Sequence, residues 1–74
     1  MYQAINKQEA KNLYDQGEKV LLVPSSHEVG AEWSIKVAIS KQTHFLPFDK
    51  IEKFVAEYQT TKRDNNKLSY YIEI

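Results

Sequence analysis

Apolar positions follow two rhythms along this chain. Ala10, Leu13 and Tyr14 recur at helical spacing behind the tetrad Asn6-Lys7-Gln8-Glu9. In that tetrad the Asn6 side chain is placed to accept the Glu9 amide proton, and the Glu9 carboxylate to reach back to the Asn6 amide. This reciprocal capping starts a helix. Gly17 suits the left-handed residue that stops one. The pattern predicts a helix over 7–16, too short to stand without tertiary packing. Val20-Leu21-Leu22-Val23 is then a continuous apolar run closed by Pro24, as expected of a strand covered on both faces. From Trp33 to Ser40 the rhythm switches to period two: Trp33, Ile35, Val37 and Ile39 share one face, and Ser34, Lys36, Ala38 and Ser40 the other. Phe45-Leu46-Pro47-Phe48 leads into a second capping signal, Asp49-Lys50-Ile51-Glu52. Ile51, Phe54, Val55 and Tyr58 then form one amphipathic stripe, and a helix is predicted over 49–60. A polar turn region over 61–67 precedes a last alternating segment. There Leu68, Tyr70, Ile72 and Ile74 interleave with Ser69, Tyr71 and Glu73.

These elements predict one small α+β domain over residues 1–74, in the order α-β-β-α-β. Strands 20–24 and 33–40 form an antiparallel hairpin. The second helix reverses the chain, so strand 68–74 runs parallel to 33–40. If it docks beside 20–24, every neighbouring pair is antiparallel. The sheet then has three strands in the order second-first-third, with the most apolar strand central, 33–40 and 68–74 as edges, and both helices on one face. Were Tyr2 to Ile5 also a strand, the order would read βαββαβ, the ferredoxin-like pattern that RNA-recognition domains share. That topology needs its first strand in the centre of the sheet. The segment is too short and too polar for that place, and 33–40 lacks the aromatic-basic signature of an RNA-recognition domain.

Composition narrows the functional classes. Seventy-four residues make one domain, of a size that often adds disulfides or a metal. The chain has no cysteine, which excludes disulfides, thiolate zinc sites and thiol catalysis and fits a reducing cytoplasm. Ten basic and ten acidic side chains cancel, so there is no general attraction to nucleic acid or to an anionic membrane. No run is as long as a membrane helix and no signal peptide opens the chain. A cytoplasmic location is expected.

The segment Glu9-Ala10, Leu13, Gly17, Val20, Leu22, Pro24 and Ser25, the later Trp33, and the Phe48-Asp49-Lys50 start of the second helix form a further pattern with the tyrosine-rich final strand. It resembles a group of small uncharacterised proteins encoded by phages and conjugative elements of Gram-positive bacteria. The resemblance spans most of the chain, but its motifs are caps, turns and core positions. In the family pattern basic residues follow the Pro-Ser pair, whereas Ser26-His27-Glu28 stand here. The resemblance implies a mobile-element context and a bacterial cytoplasm, and brings no activity with it.

Chemistry is sparse. His27 and His44 flank opposite ends of strand 33–40, roughly 25 Å apart at the rise of an extended chain. They cannot share a metal, and two surface histidines are the simpler reading. Ser25 or Ser26 would need a base and an oxyanion hole, but His27 is their sequence neighbour and no Gly-x-Ser-x-Gly elbow exists. A strand stop at Pro24 followed by a serine turn accounts for both serines. Glu28 and Glu32 have no dry cleft around them, and two helices on one sheet face rarely enclose a substrate-sized pocket. No catalytic residue, cofactor or metal is expected, and the chain does not read as an enzyme.

A stacking platform for nucleic acid has slightly more support. Lys62, Arg63 and Lys67 cluster in the 61–67 loop, while Tyr71 and Lys36 project from the open sheet face. Asp64 and Glu73 interleave with them, so a solvated turn is favoured. What remains is a small interaction module, expected to be monomeric, binding a protein partner through the open sheet face. Alternation puts either Leu21 and Val23 or Val20 and Leu22 in the middle of that face. The surface expected to bind is Leu21, Val23, Lys36, Ala38 and Tyr71, an apolar centre with a polar rim. The competing structural reading lays Met1 to Ile5, or the Lys36 stem, across those aliphatics. Trp33 is expected to begin the second strand and pack against the helices, making 25–32 a connection and not an active site.

Overall fold

The computed structural model describes residues 1–24, 36–59 and 67–74. Among these residues seven elements follow one another: β1 (Tyr2–Ile5), α1 (Lys7–Asp15), β2 (Val20–Pro24), β3 (Val37–Ile39), α2 (Lys41–His44), α3 (Phe48–Gln59) and β4 (Leu68–Glu73). The four strands form one antiparallel sheet in the order β1-β4-β2-β3.

The expected order of three strands is present as β3-β2-β4. The correction is a fourth strand. β1 pairs antiparallel with β4, Tyr2 facing Glu73 and Ile5 facing Tyr70, and the Ile74 amide donates to the Met1 carbonyl at 2.9 Å. A short, polar strand fails as a sheet centre but serves at an edge, where its middle residues Gln3 and Ala4 stay exposed. β4 is therefore an interior strand, and the edges are β1 and β3. The elements do run β-α-β-β-α-β apart from the single turn of α2. The first strand nevertheless lies outermost, so the sheet is not ferredoxin-like. β1 and β2 are parallel and separated by β4, and β3 and β4 are parallel and separated by β2. The result is two interlocked split crossovers.

The helix starts and stops are set locally. At Asn6 both halves of the capping box form: the Glu9 amide donates to Asn6 Oδ1 at 2.8 Å and the Asn6 amide to Glu9 Oε1 at 3.3 Å. The other end of α1 is closed by Gly17 at φ 87°. The Gly17 amide donates to the Tyr14 carbonyl and the Glu18 amide to that of Leu13, each at 2.9 Å. These two bonds satisfy carbonyls the helix leaves free. Ser40 Oγ donates to the Gly17 carbonyl at 3.2 Å and accepts from the Gln42 amide at 3.3 Å. One hydroxyl thus joins the end of α1 to the start of α2, a turn the polarity pattern did not announce.

α1 and α3 cover one sheet face, while α2 buries no side chain. Ala10 and Tyr14 of α1, Phe48, Ile51 and Val55 of α3, and Val20, Leu22 and Ile39 of the sheet form the core. Ile5, Leu13, Val37, Leu68 and Tyr70 pack around it. Phe48 is its aromatic hub, with ring centroids 5.6 Å from Tyr14 and 6.4 Å from Tyr70, within the range of favourable tilted pairs. The Tyr14 hydroxyl donates to the Leu46 carbonyl, so a fully buried phenol keeps a partner. Trp33, expected to anchor the second strand, lies outside the described residues, as do Ser34 and Ile35. Among the described residues that strand runs Val37–Ile39.

Candidate functional site

Register settles which residues share the face away from the helices. Leu21 faces Ala38 on one side and Tyr71 on the other, and Tyr71 also faces Ala4. The row Ala4-Tyr71-Leu21-Ala38 therefore crosses this face, with Val23 opposite Ser69 in the next row. Of the two alternatives left by alternation, Leu21 and Val23 are the pair here, because Val20 and Leu22 belong to the core. They do not form an exposed apolar centre, however. Leu21 is 6% and Val23 0% exposed. Ala38 is exposed, while Lys36 and Tyr71 are half-buried. Four of the five expected binding residues, Leu21, Val23, Ala38 and Tyr71, are brought to one face by the register, Lys36 stands just before β3, and the two that were to supply the apolar area are covered.

Exposed apolar surface lies elsewhere. On α3 the predicted stripe of Ile51, Phe54, Val55 and Tyr58 splits: Ile51 and Val55 are buried, yet Phe54 is 60% and Tyr58 69% exposed. Their rings stack at 4.6 Å and 33°, shielding each other on the helix surface. Phe45 and Leu46, in the connection before α3, are also exposed. Phe45 takes a left-handed backbone, φ 59°, a conformation that side chains rarely adopt outside glycine and asparagine.

A cleft of about 490 Å³ opens between β3 and α3. Its floor and walls are Val37 and Ile39 from the edge strand, Leu46 from the connection, and Ile51, Phe54 and Val55 from the helix. The rim carries His44, Lys50, Lys53 and Glu57. Lys7, Lys11 and Lys19 are spent on ion pairs with Glu52, Asp49 and Glu73, at 3.1, 3.6 and 3.3 Å. Among the described residues Lys50 and Lys53 form no ion pair. The cleft is open along one side and does not enclose a pocket. Among the described residues the sheet stops at the three-residue strand β3, and the Phe54 part of the apolar arc of α3 is left exposed.

A second, more polar recess of about 280 Å³ is lined by Glu52, Ala56, Lys67, Leu68 and Tyr70. Here the Tyr70 hydroxyl donates to Glu52 Oε2 at 2.6 Å, and Lys7 Nζ lies 3.1 Å from Oε1. Burial first, then the hydrogen bond and negative charge of Glu52, push the Tyr70 phenol well above its ordinary value. The Tyr70–Glu52 bond is a structural link between β4 and α3.

The remaining candidates disperse. His44 is exposed on α2, with Nδ1 3.3 Å from the Ser40 carbonyl oxygen. His27, Ser25, Ser26, Glu28 and Glu32 lie outside the described residues, as do Lys62 and Arg63 of the basic loop. Among the described residues no group of three His, Cys, Asp or Glu side chains could hold a metal ion. No helix among them is long and apolar enough to cross a membrane. Set against family models, curated proteins and solved structures, the chain matches none of them.

Proposed function

We propose that this protein is a small non-enzymatic interaction module that binds a protein partner in the cleft between β3 and α3. The observation that carries the reading is Phe54. It is a large ring left 60% exposed over an apolar cleft of about 490 Å³, beside a strand that is the outermost of the sheet among the described residues. Aromatic anchors at the centre of an apolar patch with a charged rim are the usual carriers of binding energy. The resemblance to proteins of phages and conjugative elements favours a host or element component as the partner, an argument by association.

The test is selection of a random peptide library displayed on phage, run in parallel on the wild type and on Phe54→Ser. Wild type should enrich a consensus, and the enriched peptides should lose at least roughly 30-fold in affinity for Phe54→Ser, the loss of one hot-spot side chain. Enriched peptides that bind both proteins equally would remove the cleft from the account. A salt-dependent gel shift with DNA or RNA in the absence of peptide enrichment would favour the nucleic-acid alternative.

A further inference from the structure

The form of the cleft says how a partner would lie in it. One wall is the helix α3 and the other is β3, whose only strand neighbour among the described residues is β2. Among the described residues, then, the outer edge of β3 has no strand beside it, and such an edge presents backbone amides and carbonyls to a partner strand. A strand laid along that edge would sit about 4.8 Å from β3. Every second side chain would then point to the helix side of the sheet, where Val37, Ile39, Leu46 and Phe54 wait. The intervening side chains would point to the opposite face, beside exposed Ala38. A helix laid in the same cleft would fill it but leave the β3 backbone groups unmatched.

Three residues of edge can offer only a few backbone hydrogen bonds, too few to hold a peptide alone. Selectivity must come from the cleft and its rim. The rim holds Lys50 and Lys53 against the single carboxylate of Glu57. Among the described residues neither lysine has an ion-pair partner, and two positive charges beside one carboxylate favour an acidic ligand.

Resting on the cleft as the binding surface, we infer that its occupant is an extended, acidic peptide segment of a partner protein. This segment adds to β3 as a fifth strand: its helix-facing positions seat apolar side chains against Phe54 and, before or after them, acidic side chains at Lys50 and Lys53, while the intervening positions face the Ala38 side. Recognition of this type draws affinity from main-chain pairing and specificity from pockets that take alternate side chains.

The probes are the peptides enriched by the selection above, resynthesised with a fluorescent label and measured by anisotropy. Three results are expected together. The consensus alternates apolar residues at period two and is net acidic. N-methylation of alternate amides on the bonding edge weakens binding by roughly 30-fold or more, while methylation of the other set does not. Lys50→Glu with Lys53→Glu weakens the acidic peptides about tenfold and restores binding to versions carrying lysine in place of the acids. Peptides that require Phe54 but repeat every three to four residues, or tolerate N-methylation on both sets, would overturn the strand while leaving the cleft as the binding surface. Absence of any Phe54-dependent peptide would overturn both. A dimer at micromolar concentration that is dissolved by Phe54→Ser would assign the cleft to a second copy of the chain and overturn the peptide occupant.

Discussion

The two edges of this sheet are finished in different ways. At the β1 edge the strand is short, its middle residues Gln3 and Ala4 are exposed, and the chain ends meet across it through the Ile74 amide and the Met1 carbonyl. Behind it, Lys7, Glu52 and Tyr70 form a closed polar link between α1, α3 and β4. Little apolar surface is left there beyond the terminal side chains Met1 and Ile74. At the β3 edge the strand is shorter still, but the helix beside it keeps its apolar arc: Phe54 and Tyr58 stand exposed, and an apolar cleft separates helix from strand. Both edges belong to one core and were built from the same kinds of residues. What differs is whether the covering helix stops where the sheet stops. An edge whose exposed apolar side chains are only those of the two chain ends is merely an end, whereas an edge flanked by uncovered aromatic surface is suited to a partner strand.

The largest expected effect breaks both edges together. Phe48 is 1% exposed and touches the rings of Tyr14 and Tyr70. Phe48→Ala should cost ~3–5 kcal/mol, a large share of the stability of a domain this size. Chemical denaturation should show one transition shifted or lost. A loss limited to one side of the sheet would mean that the edges do not share a core.

A smaller effect isolates the β1 side. The Tyr70 phenol is raised above the value of about 10 that it has in an unfolded chain. Between those two values the folded protein keeps a proton that the unfolded chain has released. The contribution is therefore complete below about pH 10 and is lost as pH rises through the folded value. Melting temperatures measured from about pH 9 to about pH 11.5 should fall more steeply for the wild type than for Tyr70→Phe, which has no proton to lose. Parallel curves would show that the Glu52 link does not depend on this hydroxyl.

The smallest expected stability effect lies at the β3 edge. Phe54→Ser removes a ring that is largely in water already, and should change stability by no more than about 0.5 kcal/mol while abolishing peptide binding. A cost of several kcal/mol would mean that Phe54 belongs to the core.

How these features could be read from the sequence differs with their physics. The capping box at Asn6 and Glu9, the stop at Gly17 and the central place of Val20 to Val23 were legible because each is a local rule. Caps need particular side chains three residues apart, and a strand buried on both faces needs unbroken apolarity. Strand β1 was not legible, since an edge strand with an exposed middle carries no period-two signal. α2 was hidden for another reason: it ends on Phe45, and a left-handed stop at phenylalanine carries no glycine to announce it. The cleft was half legible. Ile51, Phe54, Val55 and Tyr58 read correctly as one apolar stripe. How wide a sheet would lie beneath that stripe depends on the length of β3, which no local pattern states. A clue was present in Phe45-Leu46 beside Phe54 and Tyr58, more apolar surface than one short edge strand can cover. Leu21 and Val23 show the converse: alternation left them and Val20 with Leu22 as equal alternatives for the open face, and only the register with Ala38 and Tyr71 and their burial decide which pair lies there and that it is covered.

Amide hydrogen exchange on the peptide complex tests the central claim most directly. With a peptide enriched on the wild type at saturation, protection should rise at Val37–Ile39 and along α3 around Phe54, and should stay unchanged at Tyr2–Ile5. Protection gained at Tyr2–Ile5, or around Tyr71 on the open face with Val37–Ile39 unaffected, would contradict the assignment of binding to the β3 edge.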